Sequence, residues 1–176
     1  ILSKRAWELA GNLERWGARN VAITTESPER LAHRFEGFFD AVLIDAPCSG
    51  EGMFRKSAAA RQAWSPALVE GCAARQTGIL DAAAPLVRPG GRLVYSTCTF
   101  APEEDEGQVA RFLRSHPDFS IAPVARYPGF AAGRADWLPE AERVPGLDQA
   151  VRVWPHTAHG EGHFGALLLR SGRPGP

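Results

Sequence analysis

The run Ala41-Val42-Leu43-Ile44 constrains the fold more than any other part of this sequence, because it ends abruptly at Asp45-Ala46-Pro47-Cys48-Ser49-Gly50. Branched apolar residues that stop at turn-forming residues predict a buried strand, here over 39–44. Pro47 has no amide hydrogen, so a central strand cannot continue through it. In open α/β sheets, ligands bind at the carboxyl edge of the strands. The sequence therefore predicts an α/β sheet with a candidate site on this loop.

A second buried strand is predicted over 92–96, and it too ends in reactive residues, Thr97-Cys98-Thr99-Phe100. One crossover helix separates the two strands, so they are expected to be neighbours about 5 Å apart. Cys48 and Cys98 should then flank one crevice, with Asp45 beside them. A thiolate near a carboxyl group suits nucleophilic chemistry on an electron-poor centre. A buried cysteine is more often a small hydrophobe, and we interpret Cys72, midway along a helix, in that way.

The rest of the pattern alternates helices and strands, which is typical of a mostly parallel sheet with crossover helices. Periodicity and capping residues predict helices over 3–16, 28–36, 57–64, 65–87 and 102–116, and further strands over 20–24, 150–154 and 165–170. The last two strands are expected to form an antiparallel hairpin. The acidic run Glu103–Glu106 is expected in the first turns of its helix, where the macrodipole favours negative charge. Residues 117–146 show no regular period and are interpreted as an ordered insertion.

Composition narrows the class of protein. The 20 Lys and Arg residues balance the 20 Asp and Glu residues, so a nucleic-acid partner would have to be bound by a local patch. Three cysteines without framework-like spacing argue against a disulfide-stapled secreted domain and favour a cytoplasmic setting. No apolar run is long enough to cross a bilayer.

Two stretches carry a resemblance to a known family. DAPCSGEGMFRK (45–56) and VYSTCTFAPEEDEG (94–107) resemble the two cysteine motifs of the Nol/Nop/Sun family of S-adenosylmethionine-dependent RNA cytosine-5 methyltransferases. The variant with Met53-Phe54-Arg55-Lys56 most resembles the RsmF-type branch, which acts on bacterial small-subunit ribosomal RNA. SKRAWELAGNLERWGARNV (3–21) and VWPHTAHGEGHF (153–164) are similar to other parts of the same catalytic core. The resemblance therefore covers most of the chain.

The resemblance implies a class I, Rossmann-like methyltransferase core with a mostly parallel sheet and a terminal antiparallel hairpin. It also implies roles for three residues. Cys98 corresponds to the nucleophile that adds to carbon 6 of cytosine, and Cys48 to the thiol that assists removal of the carbon-5 proton. Asp45 corresponds to a carboxyl group that hydrogen-bonds the cytosine ring, an electrostatic role that requires a preorganised group.

The resemblance further implies binding residues for the cofactor, S-adenosylmethionine, and for RNA. The cofactor residues implied are Glu26, Ser27, Asp45, Ala46 and Pro47, although Ser27 stands where the family has an acidic residue. Arg55 and Lys56 would contact phosphate. An exposed, solvated basic pair explains Arg55 and Lys56 equally well.

The resemblance also implies an incomplete core. The family's Gly-rich cofactor loop, the strand before it and its acidic ribose ligand should all precede Ile1. Residues 1–170 are thus expected to form a partial catalytic core that lacks its first strands, and residues 171–176 a linker-like tail. Such a fragment should bind the cofactor poorly, be inactive alone and self-associate through an unpaired strand edge.

Two rival interpretations remain open. His156, His159 and His163 could ligate a metal, but their spacing on a Gly-containing loop without an acidic or Cys partner is a weak ligand pattern. A non-catalytic RNA- or protein-interaction module derived from such an enzyme is the other alternative. The intact pair of cysteine motifs argues against that alternative.

Overall fold

The computed structural model describes residues 3–172 as a mixed α/β fold built on one six-stranded sheet. Its helices are α1 (Ser3–Trp16), α2 (Pro28–Arg34), α3 (Ala58–Ala63), α4 (Pro66–Ala83) and α5 (Glu106–Ser115). Its strands are β1 (Phe39–Asp45), β2 (Val87–Thr97), β3 (Phe119–Ala122), β4 (Phe130–Ala132), β5 (Val151–Val153) and β6 (His163–Arg170). Short 3₁₀ turns lie at Glu51–Met53, Ala84–Leu86, Ala135–Trp137, Glu140–Glu142 and Leu147–Gln149. Residues 173–176 of the predicted tail lie outside the described residues.

The sheet runs in the order β1-β2-β6-β5-β4, and β3 also pairs with β6. Strands β1 and β2 are parallel, in a register that places Asp45 opposite Ser96. The pairs made by β6 with β2, β3 and β5 are antiparallel, as is the pair of β4 with β5. Within residues 3–172, β1–β2 is the one parallel pair, so the expectation of a mostly parallel sheet is wrong for these residues, because the four pairs that involve strands after β2 are antiparallel. Because β1 and β2 are parallel, both strands end at the same edge of the sheet, which brings the loops that follow them together.

Helix starts follow the sequence signals closely. The Ser57 hydroxyl accepts a hydrogen bond from the backbone N–H of Ala60, and the Ser65 hydroxyl accepts one from the backbone N–H of Leu68, at 3.1 Å each. Ser27 caps α2 in the same way at 3.5 Å, with Pro28 as the first helical residue. Such caps satisfy amide groups that the first turn of a helix leaves unpaired.

The core lies between the sheet and helices α4 and α5. Its fully buried members include Leu80, Leu93, Tyr95, Phe112 and Leu168. Helix α1 forms as predicted, but Trp7 and Trp16 are 78% and 83% exposed. None of the helices within residues 3–172 combines the length and the apolar character that a bilayer crossing requires.

Three expectations about elements are corrected. Residues 20–24 are not a strand, because a strand needs a neighbour for its backbone hydrogen bonds and none of the described strands lies beside them. Strand β2 begins at Val87 rather than near residue 92, since a shift in the β1–β2 register accommodates Pro89 and Gly90. Helix α5 begins at Glu106, so the preceding acidic residues lie in turns rather than in its first helical turns. The other predicted helices, the strand before Asp45 and the terminal antiparallel pair are confirmed.

Candidate active site

The sulfur atoms of Cys48 and Cys98 lie 3.3 Å apart. Their loops leave the same sheet edge because β1 and β2 are parallel and end in register. The backbone N–H of Cys98 also points at the Cys48 sulfur, at 3.4 Å. Both side chains are half-buried, and neither forms a disulfide. Cys72, by contrast, is buried in α4, as expected of a small apolar side chain.

The two thiols differ in acidity. The hydrogen bond from the Cys48 thiol lowers the pKa of Cys98 below its ordinary value, although burial and the charge of Asp45 oppose that shift. The same hydrogen bond, together with burial, raises the pKa of Cys48 far above the usual range. A thiolate at Cys98 that accepts a hydrogen bond from a thiol at Cys48 is consistent with both the lowered pKa of Cys98 and the raised pKa of Cys48. The pair can therefore hold one thiolate and one thiol side by side.

An open groove of about 290 Å³ lies along β1 and reaches Asp45, the residue at which the Cys48 loop begins. Its apolar walls come from Leu31 of α2, Ile79 of α4, and Val42 and Ile44 of β1. The carboxyl groups of Glu26 and Asp45 also line it. Apolar side chains suit the face of an aromatic ring, and carboxylates suit hydroxyl or amino donors. These residues fit one side of a nucleoside-containing cofactor.

Glu104 and Gln76 hold the Cys48 loop in place through hydrogen bonds to its backbone. The carboxylate of Glu104 accepts from the backbone N–H of Ser49 at 3.0 Å and from Gln76 Nε2 at 2.8 Å. Gln76 Nε2 also donates to the carbonyl of Pro47 at 2.9 Å. Both side chains are fully buried, and burial raises the pKa of Glu104 against these hydrogen bonds. The loop is thus fixed by buried polar contacts at two backbone positions.

Arg152 holds the segment that follows Cys98. Its guanidinium makes a bidentate pair with Glu106, lies 3.1 Å from Asp105 and donates to the carbonyl of Phe100 at 3.1 Å. All three charged side chains are buried. Asp105 also accepts from the Thr97 hydroxyl at 2.6 Å. Burial nevertheless raises the pKa of Asp105 well above its usual range, because one shared cation compensates only part of the desolvation.

The predicted cofactor residues lie on or beside the groove but differ in what their polar atoms contact. The backbone N–H of Ala46 donates to the carbonyl of Ser96 at 2.9 Å, and the Ser27 hydroxyl serves as the cap of α2. Glu26 pairs with Arg30 at 3.0 Å while lining the groove. Asp45 is exposed at the end of β1. The charged side chains that line the groove are therefore the carboxylates of Glu26 and Asp45.

The predicted RNA contacts lie on the surface close to this site. Arg55 is 62% exposed, donates to the carbonyl of Gly160 at 2.8 Å and pairs with Glu161 at 3.4 Å. Lys56 is exposed. Arg55 thus connects the first cysteine motif to the His- and Gly-containing loop. Over residues 3–172, no group of three or more His, Cys, Asp or Glu side chains is arranged to hold a metal, so the three histidines form no such cluster there.

Sequence reasoning missed the buried polar residues beneath the thiols. Glu104 and Asp105 were expected in the first turns of a helix, and Arg152 was predicted only as part of the strand over 150–154. A signal was present, because Arg152 lies between two valines in an apolar strand and a buried Arg requires an acidic partner. Glu51 was likewise noted only as part of the first cysteine motif.

The family model described as "16S rRNA methyltransferase RsmB/F" matches residues 1–169. Ribosomal RNA small subunit methyltransferase F of Escherichia fergusonii is 35% identical over 175 residues, covering 96% of this chain and 33% of that protein. The chain therefore spans about a third of the length of the curated relatives it matches.

Solved structures share the same fold. A methyltransferase homolog protein from Pyrococcus horikoshii aligns with a TM-score of 0.77 at 26% identity, covering 96% of this chain and 51% of that one. NSun6 from Pyrococcus horikoshii, solved with SFG, aligns with a TM-score of 0.73 at 24% identity, covering 98% of this chain and 40% of that one. The second likeness concerns the fold alone. Together they confirm the Rossmann-like methyltransferase architecture expected from the sequence.

Proposed function

The chain belongs to the 16S rRNA methyltransferase RsmB/F family, and on that premise we propose that the protein methylates carbon 5 of cytosine in small-subunit ribosomal RNA through a covalent cysteine adduct. The observation that carries this proposal is the pair of sulfur atoms 3.3 Å apart whose pKa values shift in opposite directions. A thiolate beside a thiol suits a reaction that begins with nucleophilic addition and ends with the loss of a proton.

In the proposed reaction, the Cys98 thiolate forms a bond to carbon 6 of the cytosine. The electron pair of the 5,6 double bond shifts toward carbon 5, and Asp45 hydrogen-bonds the ring edge so that the ring withdraws electrons as sulfur adds. S-adenosylmethionine, when bound, supplies the methyl group that carbon 5 then attacks. Once Cys98 is bound to carbon 6, Cys48 loses its thiol proton to water and as a thiolate takes the carbon-5 proton; the 5,6 double bond then re-forms and Cys98 leaves as a thiolate.

The same proposal assigns the groove along β1 to the cofactor. Glu26 and Asp45 would accept from its hydroxyl or amino groups, and the apolar wall would contact its ring. Ala46, Pro47 and Ser27, which adjoin the groove residues Asp45 and Glu26 in sequence, would contribute through their position rather than through free polar atoms. Residues 1–170 would act as the catalytic core, with 171–176 as a linker.

The RNA would approach from the side of Arg55 and Lys56, which are exposed next to the first cysteine loop. Both cations would contact phosphate and position the strand without reading its sequence. The target cytosine has to leave its stack, because the addition and the methyl transfer take place on its ring carbons.

Two cysteine variants test the assignment, in a protein of the relatives' length that carries this sequence. Cys98→Ala should abolish methyl transfer to RNA, since no other group of that loop can add to carbon 6. Cys48→Ala should instead accumulate RNA bound covalently to protein, detectable after denaturation. Cys72→Ala serves as the matched control, because its thiol lies in the core and should leave both readouts unchanged.

Three other outcomes would each contradict a part of this proposal. A covalent adduct in Cys98→Ala rather than in Cys48→Ala would reverse the roles of the two thiols. Methylated base other than 5-methylcytosine in the product would refute the chemistry. Tight RNA binding with no methyl transfer by the unsubstituted protein would favour a non-catalytic interaction module.

A further inference from the structure

Polar side chains connect the loop of Cys48 with the loop of Cys98. Glu51 Oε2 accepts from the backbone N–H of Phe100 at 3.0 Å and from the Thr99 hydroxyl at 3.3 Å. The hydroxyls of Thr99 and Ser49 are 2.8 Å apart. Ser49 and Thr99 are both buried. One carboxylate in the first loop therefore binds two successive residues just beyond the thiol of the second.

We propose that Glu51 is a positioning residue that holds the sulfur atoms of Cys48 and Cys98 in contact. Its catalytic consequence rests on the methyl transfer proposed above, whereas its geometric consequence does not. Glu51 forms no hydrogen bond with either sulfur, so it acts through the loop backbone.

The contacts of Glu51 complete a set of connections between the loops. Up to and including Cys98, backbone hydrogen bonds already join the two loops: the N–H of Ala46 donates to the carbonyl of Ser96, and the N–H of Gly52 donates to the carbonyl of Cys98, each at 2.9 Å. On the far side, the contacts from the first loop come from Glu51 and Ser49. A charged acceptor is favoured there because hydrogen bonds to an ionised group are about twice as strong as neutral ones. Without it, Ser49 would supply the remaining contacts from the first loop to residues beyond Cys98, through the Thr99 hydroxyl and the Glu104 carboxylate.

The first experiment measures turnover in a protein of the relatives' length. Glu51→Ala removes every contact, while Glu51→Gln keeps an acceptor oxygen and the size of the side chain. Displacing a reacting group by about 1 Å costs on the order of 100-fold in rate, so Glu51→Ala should lower kcat by about that factor. Glu51→Gln should recover part of the loss, and KM for RNA should not change. Glu70→Gln, an exposed carboxylate on α4, is the matched control.

The second experiment reads the geometry without any methyl transfer. In the chain carrying Cys72→Ala, oxidised glutathione takes two electrons from Cys48 and Cys98, leaving one protein disulfide and two molecules of reduced glutathione. The equilibrium constant of this exchange measures how well the two sulfurs are held together. It should fall by about tenfold or more in Glu51→Ala, given the effective concentrations that fixed geometry provides. Glu51→Gln should lie between, and Glu70→Gln should match the parent.

The two experiments separate two kinds of failure. If the unsubstituted enzyme does not methylate cytosine, the proposed function fails, yet the exchange constant still tests the position of the thiols. If the enzyme is active and Glu51→Ala leaves kcat or the exchange constant unchanged, the inference about Glu51 is overturned. Thr99→Val provides a second variant should Glu51→Ala fold poorly, and it should weaken the exchange in the same direction.

Discussion

Replacing Arg152 with Met tests the buried charge network beneath the Cys98 loop. Met keeps an unbranched apolar chain but removes the guanidinium, which binds Glu106 twice, lies 3.1 Å from Asp105 and donates to Phe100. Arg152 is 1% exposed, so water cannot take over these contacts. Removing one partner of a buried ion pair costs about 3–5 kcal/mol, because the remaining charge stays desolvated. That is a large part of the roughly 5–15 kcal/mol by which domains are stable.

The pH dependence of this loss has a definite sign. Burial already raises the pKa of Asp105, and Arg152 is the cation that opposes the shift. Without Arg152, the folded-state pKa of Asp105 should rise further above its unfolded value. A carboxyl group of this kind favours the folded state less and less as pH rises from the unfolded pKa towards the folded pKa. The cost of Arg152→Met should therefore be largest at neutral pH and shrink on acidification.

Urea unfolding followed by circular dichroism measures both effects. The free energy of unfolding should be compared at about pH 7 and at about pH 5.5, between which one titrating group contributes at most about 1.4 kcal/mol per pH unit. Arg134→Met is the control, because its pair with Asp136 is exposed and its loss should matter little. A loss below about 1 kcal/mol, the range of exposed ion pairs, would refute the reasoning. So would a loss that does not depend on pH.

Three further predictions concern the site and its edge. Gly52→Ala should destabilise the chain by about 1–3 kcal/mol in urea unfolding, because the added Cβ would lie 2.3 Å from the Gly162 carbonyl oxygen. Asp45→Asn should let Cys98 react with iodoacetamide at lower pH, since the Asp45 charge raises the Cys98 pKa, yet it should slow methyl transfer; equal turnover would remove Asp45 from the mechanism. Leu43, 69% exposed on β1, should promote self-association, so Leu43→Lys should lower the apparent mass in size-exclusion chromatography.

Local sequence patterns were sufficient to predict most elements and the meeting of the two thiols. An apolar run that ends in Asp45-Ala46-Pro47 marks both a strand and the edge where it stops, and β2 repeats that pattern before Cys98. Two parallel neighbours in register then bring Cys48 and Cys98 together without further information. That inference depends on the period of the pattern and on sheet topology, which are properties of short stretches.

The support beneath the site could not be predicted in the same way. Acidic residues before a helix are favoured by its dipole, so Glu104 and Asp105 match a solvated helix start as well as a buried cluster. What decides between them is Arg152, which contacts Glu106 from 46 residues further along the chain. The strand prediction over residues 20–24 was wrong for a related reason, because strand formation depends on a neighbouring strand that the local pattern does not reveal.

The groups around Cys98 also affect the order of events at the thiols. The hydrogen bond from Cys48 is the largest influence on the pKa of Cys98 and lowers it, whereas burial, Asp45 and Glu104 all raise it. Cys48 would then act twice, first by stabilising the attacking thiolate and later by assisting proton removal. The Cys48→Ala protein should consequently form its covalent RNA adduct slowly at neutral pH and faster as pH rises, because the pKa of Cys98 loses the hydrogen bond that lowers it most. An adduct that forms at the same rate across that range would assign Cys48 to the release step alone.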